Sequence, residues 1–305
     1  MKTNYFILVI FLLGGFNSQA QQTPHYAQYM YNMGIVNPAY MINEPGIIQV
    51  GNLFRKQWVG IEGAPRTVNI FSNIPLTDKM EIGVNFVNDR IGSQVTVTQN
   101  IFDVNFAYKI KLTDKANLSF GLKTGIDNIA LDFTKLENYG DPMFQNMSHT
   151  MLNIGTGVFL FKKRYYAGFS IPNLIPNDIH SSTSHLYQSK SHLYFISGYV
   201  FEISDKLKLK PSVIVKEVSG APLSMEALVN MLINNKVELG VSSRYEDSIT
   251  GIVNFYITPD LRIGYAYEYT LSRLQQFNSG SHELILIYRL NTVKLSNSYT
   301  SPRFY

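Results

Sequence analysis

Leu261-Arg-Ile-Gly-Tyr-Ala-Tyr-Glu-Tyr269 is the stretch that decides the fold class. Its odd positions, Leu261, Ile263, Tyr265, Tyr267 and Tyr269, are all apolar or aromatic, and its even positions are Arg262, Gly264, Ala266 and Glu268. A period of two puts the two sets on opposite faces of a β-strand. A face of Gly, Ala and charge makes a poor soluble core, but it suits the hydrated lumen of a barrel whose other face meets lipid. The pattern repeats. Phe102, Val104, Phe106, Tyr108 and Ile110 alternate with Asp103, Asn105, Ala107 and Lys109. Leu118, Phe120 and Leu122 alternate with Ser119, Gly121 and Lys123, and Val237, Leu239 and Val241 with Glu238, Gly240 and Ser242.

Outward from these segments, 14 such runs are centred near 46–57, 66–74, 80–88, 95–111, 117–127, 151–161, 164–171, 191–203, 207–217, 223–233, 236–245, 248–257, 260–271 and 281–290. After every second run comes a tight connection: Thr77-Asp78-Lys79, Thr113-Asp114-Lys115, Lys162-Lys163, Ser204-Asp205-Lys206, Asn234-Asn235 and Thr258-Pro259-Asp260. Most of the others are longer, above all 128–150 and 172–190. Short turns at one end and longer loops at the other are the asymmetry of an outer-membrane barrel. Fourteen strands at roughly 10 crossing residues each use about 140 residues, which leaves as many again for loops and ends. The expected fold is an all-β, antiparallel transmembrane barrel of 14 strands with both termini periplasmic. A soluble secreted β-sandwich is the alternative, but it rarely sustains so long a meander and does not need a lumen-type polar face.

Composition agrees. A charged fraction of 16% excludes a coiled coil and a disordered chain. With no cysteine there is no disulfide framework, thiolate metal site or cysteine nucleophile. A net charge of only +4, without a basic run, argues against nucleic acid as a partner. At the N-terminus, Lys2, the apolar stretch from Phe6 to Phe16 and Asn17-Ser18-Gln19-Ala20 have the form of a secretory signal peptide cleaved before Gln21. No later apolar run is long enough for a spanning helix, so membrane insertion is expected as a barrel. The chain then divides into a signal peptide (1–20), an N-terminal arm or plug (21–45), the barrel (46–291) and a polar tail (292–305) carrying Lys294 and Arg303.

Two segments are not generic barrel. One is Pro24-His25-Tyr26-Ala27-Gln28-Tyr29-Met30-Tyr31-Asn32 with Asn37-Pro38-Ala39-Tyr40; the other is Arg55-Lys56-Gln57-Trp58-Val59-Gly60-Ile61-Glu62-Gly63-Ala64-Pro65-Arg66-Thr67. With Tyr166–Leu174, Lys210-Pro211-Ser212 and Gly280-Ser281-His282-Glu283, they resemble the PorP/SprF family of Bacteroidota outer-membrane proteins, attached to type IX secretion and gliding motility. Met33 stands where the family often has proline, and Met41-Ile42 where it often has a small Ala-Gly pair. The resemblance implies a non-enzymatic barrel without cofactor. It also implies two kinds of partner: the C-terminal domain of a large secreted adhesin, and periplasmic motor or peptidoglycan-binding components.

The candidate partner-binding residues are Gln28, Tyr29, Asn37, Pro38 and Tyr40 in the arm, and Gln57, Trp58, Gly60, Gly63 and Pro65 in the first loop. Asn37-Pro38 is a turn former, and the tyrosines offer amphipathic contact area at little entropic cost. The arm reads as a lumen plug, a docking arm or a strap sealing the barrel base. Gly60, Gly63 and Pro65 suit a tight loop presenting Trp58, which otherwise belongs to the aromatic girdle. Asp132, Glu137 and Asp141 match no defined calcium loop, and His180 and His185 have no third metal ligand at a recognisable spacing. A wall esterase built on Ser281 and His282, or Ser191 and His192, is opposed by strand geometry, because neighbours point to opposite faces. The other function on this architecture is a channel or hydrophobic-solute transporter, since a lumen of Gly, Asn, Lys and Glu would suit one.

Overall fold

The computed structural model describes residues 24–136, 145–176, 178–180 and 185–292. The signal segment, Glu137, Asp141, the side chains of His180 and His185, and the tail from 293 onward lie outside the described residues.

The strands are β1 (Ile47–Lys56), β2 (Arg66–Pro75), β3 (Met80–Ile91), β4 (Thr96–Thr113), β5 (Ala116–Asp132), β6 (Met147–Lys162) and β7 (Tyr165–Ile171). A small hairpin, β8 (Asp178–His180) and β9 (His185–Gln188), sits in the loop after β7. Then come β10 (His192–Tyr199), β11 (Phe201–Ser204), β12 (Leu207–Val218), β13 (Ser224–Ile233), β14 (Val237–Arg244), β15 (Ser248–Tyr256), β16 (Leu261–Thr270) and β17 (Ser281–Asn291). β10 and β11 are one barrel strand, since both pair with β12 in a continuous register. It breaks at Val200, beside the point where Pro211 of β12, which has no N–H to give the ladder, stands opposite. Each strand pairs antiparallel with its neighbours and β1 pairs with β17, closing a 14-stranded barrel.

The period-two pattern sets the faces as expected. On β16, Arg262, Ala266 and Glu268 are buried inside, while Ile263, Tyr265, Tyr267 and Tyr269 are exposed outside. The same holds on β4, where Asp103, Asn105 and Ala107 point in and Phe102 and Phe106 out. No helix among the described residues is long and apolar enough to cross a membrane.

Two expectations need correction. The small, polar inner face does not line a hydrated lumen along its length, because residues 24–46 run through the barrel and bury themselves against it. The connection 128–150 is shorter than expected, since β5 continues to Asp132 and β6 begins at Met147. There the apolar side chains switch to the inner face. Ile129, Leu131 and Phe133 pack with Val97 and Met151 into a small second core, and a rule of apolar-outward alternation cannot see that extension.

Candidate functional site

The arm enters β1 at the end of the barrel that carries the tight turns, and Pro24 lies towards the loop end. At the loop end a chain of charges ties the arm to the wall. His25 Nε2 meets Glu226 Oε2 at 3.0 Å, and Arg244 reaches Glu226 at 3.4 Å and Glu268 at 2.9 Å. Arg55 binds the other oxygen of Glu268 at 2.7 Å and Glu283 at 3.3 Å. Glu283 then accepts from the backbone N–H groups of Ala27 (2.9 Å) and Gln28 (2.8 Å), which brings the chain of contacts back to the arm. Arg55, Glu268 and Glu283 are all buried. A buried carboxylate is tolerable only because donors surround it.

Lower down, two short 3-10 turns, Tyr29–Tyr31 and Met33–Ile35, coil the arm inside the barrel. Their backbone groups are met by wall side chains, as buried polar groups require. Asn105 Nδ2 donates to Gly34 O at 2.8 Å, and Ser170 Oγ to Val36 O at 2.7 Å. Asn32 Nδ2 donates to both Asn69 Oδ1 and Asn85 Oδ1 at 2.9 Å. Asn254 donates to the Tyr31 hydroxyl at 2.9 Å, and the Arg262 guanidinium lies over the Tyr31 ring, 4.7 Å from its centroid.

Asn37-Pro38-Ala39-Tyr40 rests on a bare patch of wall. Asn37 Oδ1 accepts from Ala39 N at 2.9 Å, so the side chain closes the turn, while Nδ2 donates to Val158 O at 3.0 Å. The approach is possible because Gly121 and Gly157, paired across β5 and β6, have no side chains. A Cβ at Gly121 would collide with the Pro38–Ala39 backbone, and one at Gly157 with the Asn37 amide. Tyr40 meets Phe159 edge-on, 5.5 Å between centroids. At the turn end, Ile42 N donates to Glu81 at 2.9 Å, and Lys109 and Arg289 hold Asn43 and Glu44.

All five arm candidates, Gln28, Tyr29, Asn37, Pro38 and Tyr40, are therefore buried against the barrel's own wall. Of the readings of the arm, the geometry is that of a lumen plug. Glu283, Glu81, Asn105 and the glycine seat are the residues sequence reasoning missed. Arg55 opens the second of the two distinctive segments and Glu283 ends the stretch Gly280–Glu283 that also carries the family resemblance, which was the available signal.

The second group, Gln57, Trp58, Gly60, Gly63 and Pro65, forms one loop at the rim. Gln57 N donates to Pro65 O at 3.0 Å and closes its base. Gly60 and Gly63 take φ of +106° and +74°, and the half-buried Trp58 itself has φ +42°. The loop is clasped on both sides. Gly92 N donates to Gly63 O, Val59 N to Gly280 O, and Ser279 N back to Val59 O. The two groups lie on different surfaces, the plug inside and the loop on the rim.

Ser281 and His282 diverge as neighbours on a strand must. Ser281 is buried and accepts from Trp58 N, while His282 lies outside against the Tyr265 hydroxyl. His192 is packed under Asn173, and Ser191 donates to Leu174 O. Among the described residues there is no group of side chains set to hold a metal ion.

Residues 18–288 match the family model described as type IX secretion system membrane protein PorP/SprF. The chain belongs to the PorP/SprF family. This PorP/SprF barrel shares its fold with the Ralstonia pickettii toluene transporter TbuX, at a TM-score of 0.53 and 11% identity over 85% of this chain and 93% of that one. The Pseudomonas putida toluene transporter TodX matches at 0.52 and 10% identity, over 88% and 94%. Identities this low establish a common outer-membrane barrel architecture and nothing about substrate. No curated protein matches the PorP/SprF chain in sequence.

Proposed function

We propose that this PorP/SprF barrel is a partner-specific anchor of the type IX secretion and gliding system, binding the C-terminal domain of a large surface adhesin at its loop rim. In this reading the turn end, with both chain termini, faces the periplasm and meets motor or peptidoglycan-binding components. An N-terminal signal peptide directs export.

The observation that carries the proposal is the plug within a family of secretion-system membrane proteins. Hydrogen bonds to strands on all sides of the barrel hold residues 24–46 in the lumen, which favours recognition over solute passage. The clasped loop offers Trp58 on a preformed frame, so little ordering entropy is lost when a partner docks. The chemistry required is recognition, and no bond need be broken. The arm candidates act by holding the plug, and the loop candidates by touching the partner.

A photocrosslinking residue in place of Trp58, compared with one in place of Lys163 in a tight turn, tests both site and topology. Adhesin trapped from Trp58 and a periplasmic component trapped from Lys163 support the proposal; adhesin trapped only from Lys163 reverses it. Solute flux through purified barrels in liposomes tests the channel alternative, which requires robust conductance from the intact chain.

A further inference from the structure

On the outer wall at the loop end, three cations stand in one cross-strand row. Lys56 of β1 is directly opposite Arg66 of β2, and Arg66 is directly opposite Arg90 of β3. His282 of β17 extends the row on the other side of Lys56. All three cations are exposed and outward, since their neighbours Arg55, Thr67 and Asp89 belong to the inner face. Among the described residues none of the three has an ion pair or a side-chain hydrogen bond.

Two of the nearby carboxylates are engaged on the inner face, and the others, among the described residues, make no ion pair with the row. Glu283 holds Arg55 and the arm, and Asp89 accepts from Thr67 Oγ1 at 2.6 Å. Asp132, whose carboxylate feels Arg90, accepts from Thr134 N and Oγ1. Glu62 in the loop above is exposed. Like charges directly opposite one another destabilise a sheet, and the Asp132 carboxylate relieves that cost only at the Arg90 end of the row. Immediately below it the outer face of the same four strands carries Leu284, Phe54, Val68 and Asn88, then Leu286, Asn52, Ile70 and Phe86, and so becomes mainly apolar. The row therefore lies where the hydrocarbon ends and headgroups begin.

We propose that Lys56, Arg66 and Arg90 form a binding site for a lipid headgroup carrying more than one phosphate. Neighbouring strands are about 4.8 Å apart, so the row spans about 10 Å, enough for two phosphates side by side. Arginine forks bind phosphate oxygens in pairs, and lysine adds a point charge. His282, hydrogen-bonded to the Tyr265 hydroxyl at 2.6 Å, and Tyr267 border the site and supply polar aromatic edges at the same level. The bound anion removes the repulsion across β1, β2 and β3, next to the seam where the barrel closes.

Native mass spectrometry of the full barrel in neutral detergent, titrated with cardiolipin or phosphatidylcholine, tests the assignment. Cardiolipin is expected to bind roughly a hundredfold more tightly, as three headgroup-level cations imply. The preference should vanish in Lys56→Gln/Arg66→Gln/Arg90→Gln and persist in the turn-end control Lys162→Gln/Lys163→Gln. No preference, or equal loss in the control, overturns the site, and displacement by equimolar inorganic pyrophosphate assigns it to free phosphate instead. Arg66→Gln alone guards against a folding defect. Without anionic lipid it should melt no lower than the parent, and with cardiolipin it should gain less. A variant that melts lower without lipid would show that Arg66 has a structural partner, and the proposal would fall.

Discussion

Arg55 and Glu283 face each other across the β1–β17 seam, so the ion pair that closes the barrel also places the carboxylate that holds the plug. Barrel closure and plug seating thus depend on one carboxylate. Glu283→Ala strands two arm N–H groups and takes from Arg55 one of its two partners. The expected loss is about 3–5 kcal/mol, the range for breaking a buried pair. Denaturant unfolding in detergent measures it, and limited proteolysis should cut the variant's arm first.

The glycine seat makes a separate demand. Gly157→Val drives a side chain into the Asn37 amide while leaving the lipid face untouched. The barrel should still assemble and migrate as a folded species. Hydrogen exchange at Ala39 and Tyr40, whose amides bond to Asn37 in the native turn, should rise sharply. Unchanged protection would mean that the turn does not depend on the seat.

Asn32 satisfies two wall residues at once. Asn32→Ala leaves Asn69 and Asn85 without their shared donor, at an expected cost of about 1–3 kcal/mol. Adding Asn85→Ala should cost less than the sum of the single changes, because one interaction cannot be lost twice. A strictly additive double-mutant cycle would remove this network from the account.

At the rim, Gly63→Val meets both a positive φ and the backbone of Gly92 and Ser93. The left-handed backbone alone costs a β-branched residue roughly 1–2 kcal/mol. Adhesin retention on cells should fall while barrel yield holds. Gly251→Val is the control, since nothing lies within 4 Å of a Cβ there, and it should behave as wild type.

The strands were legible in the sequence because lipid outside and a small, polar face inside give every one the same period. Glu268 and Asn105 show where that legibility stops. Both read as lumen residues, yet their partners, Arg55 and the Gly34 carbonyl, are far away in sequence and leave no local mark. The inner glycines read as water-lining and are instead the floor for Asn37-Pro38. The upper parts of β5 and β6 were read as loop because Ile129 and Leu131 reverse the apolar face once the wall has passed the rim. Trp58 was read as an interface anchor or a girdle residue, and its positive φ was not legible, since no residue type announces that strain.

The most direct test of the central claim is a mild-detergent purification of the tagged protein from native outer membranes, with mass spectrometry of what accompanies it. A very large surface protein, or its C-terminal fragment, is expected to accompany the barrel, in amounts that fall in the Gly63→Val variant. A lone, intact barrel that conducts solutes in liposomes would contradict it.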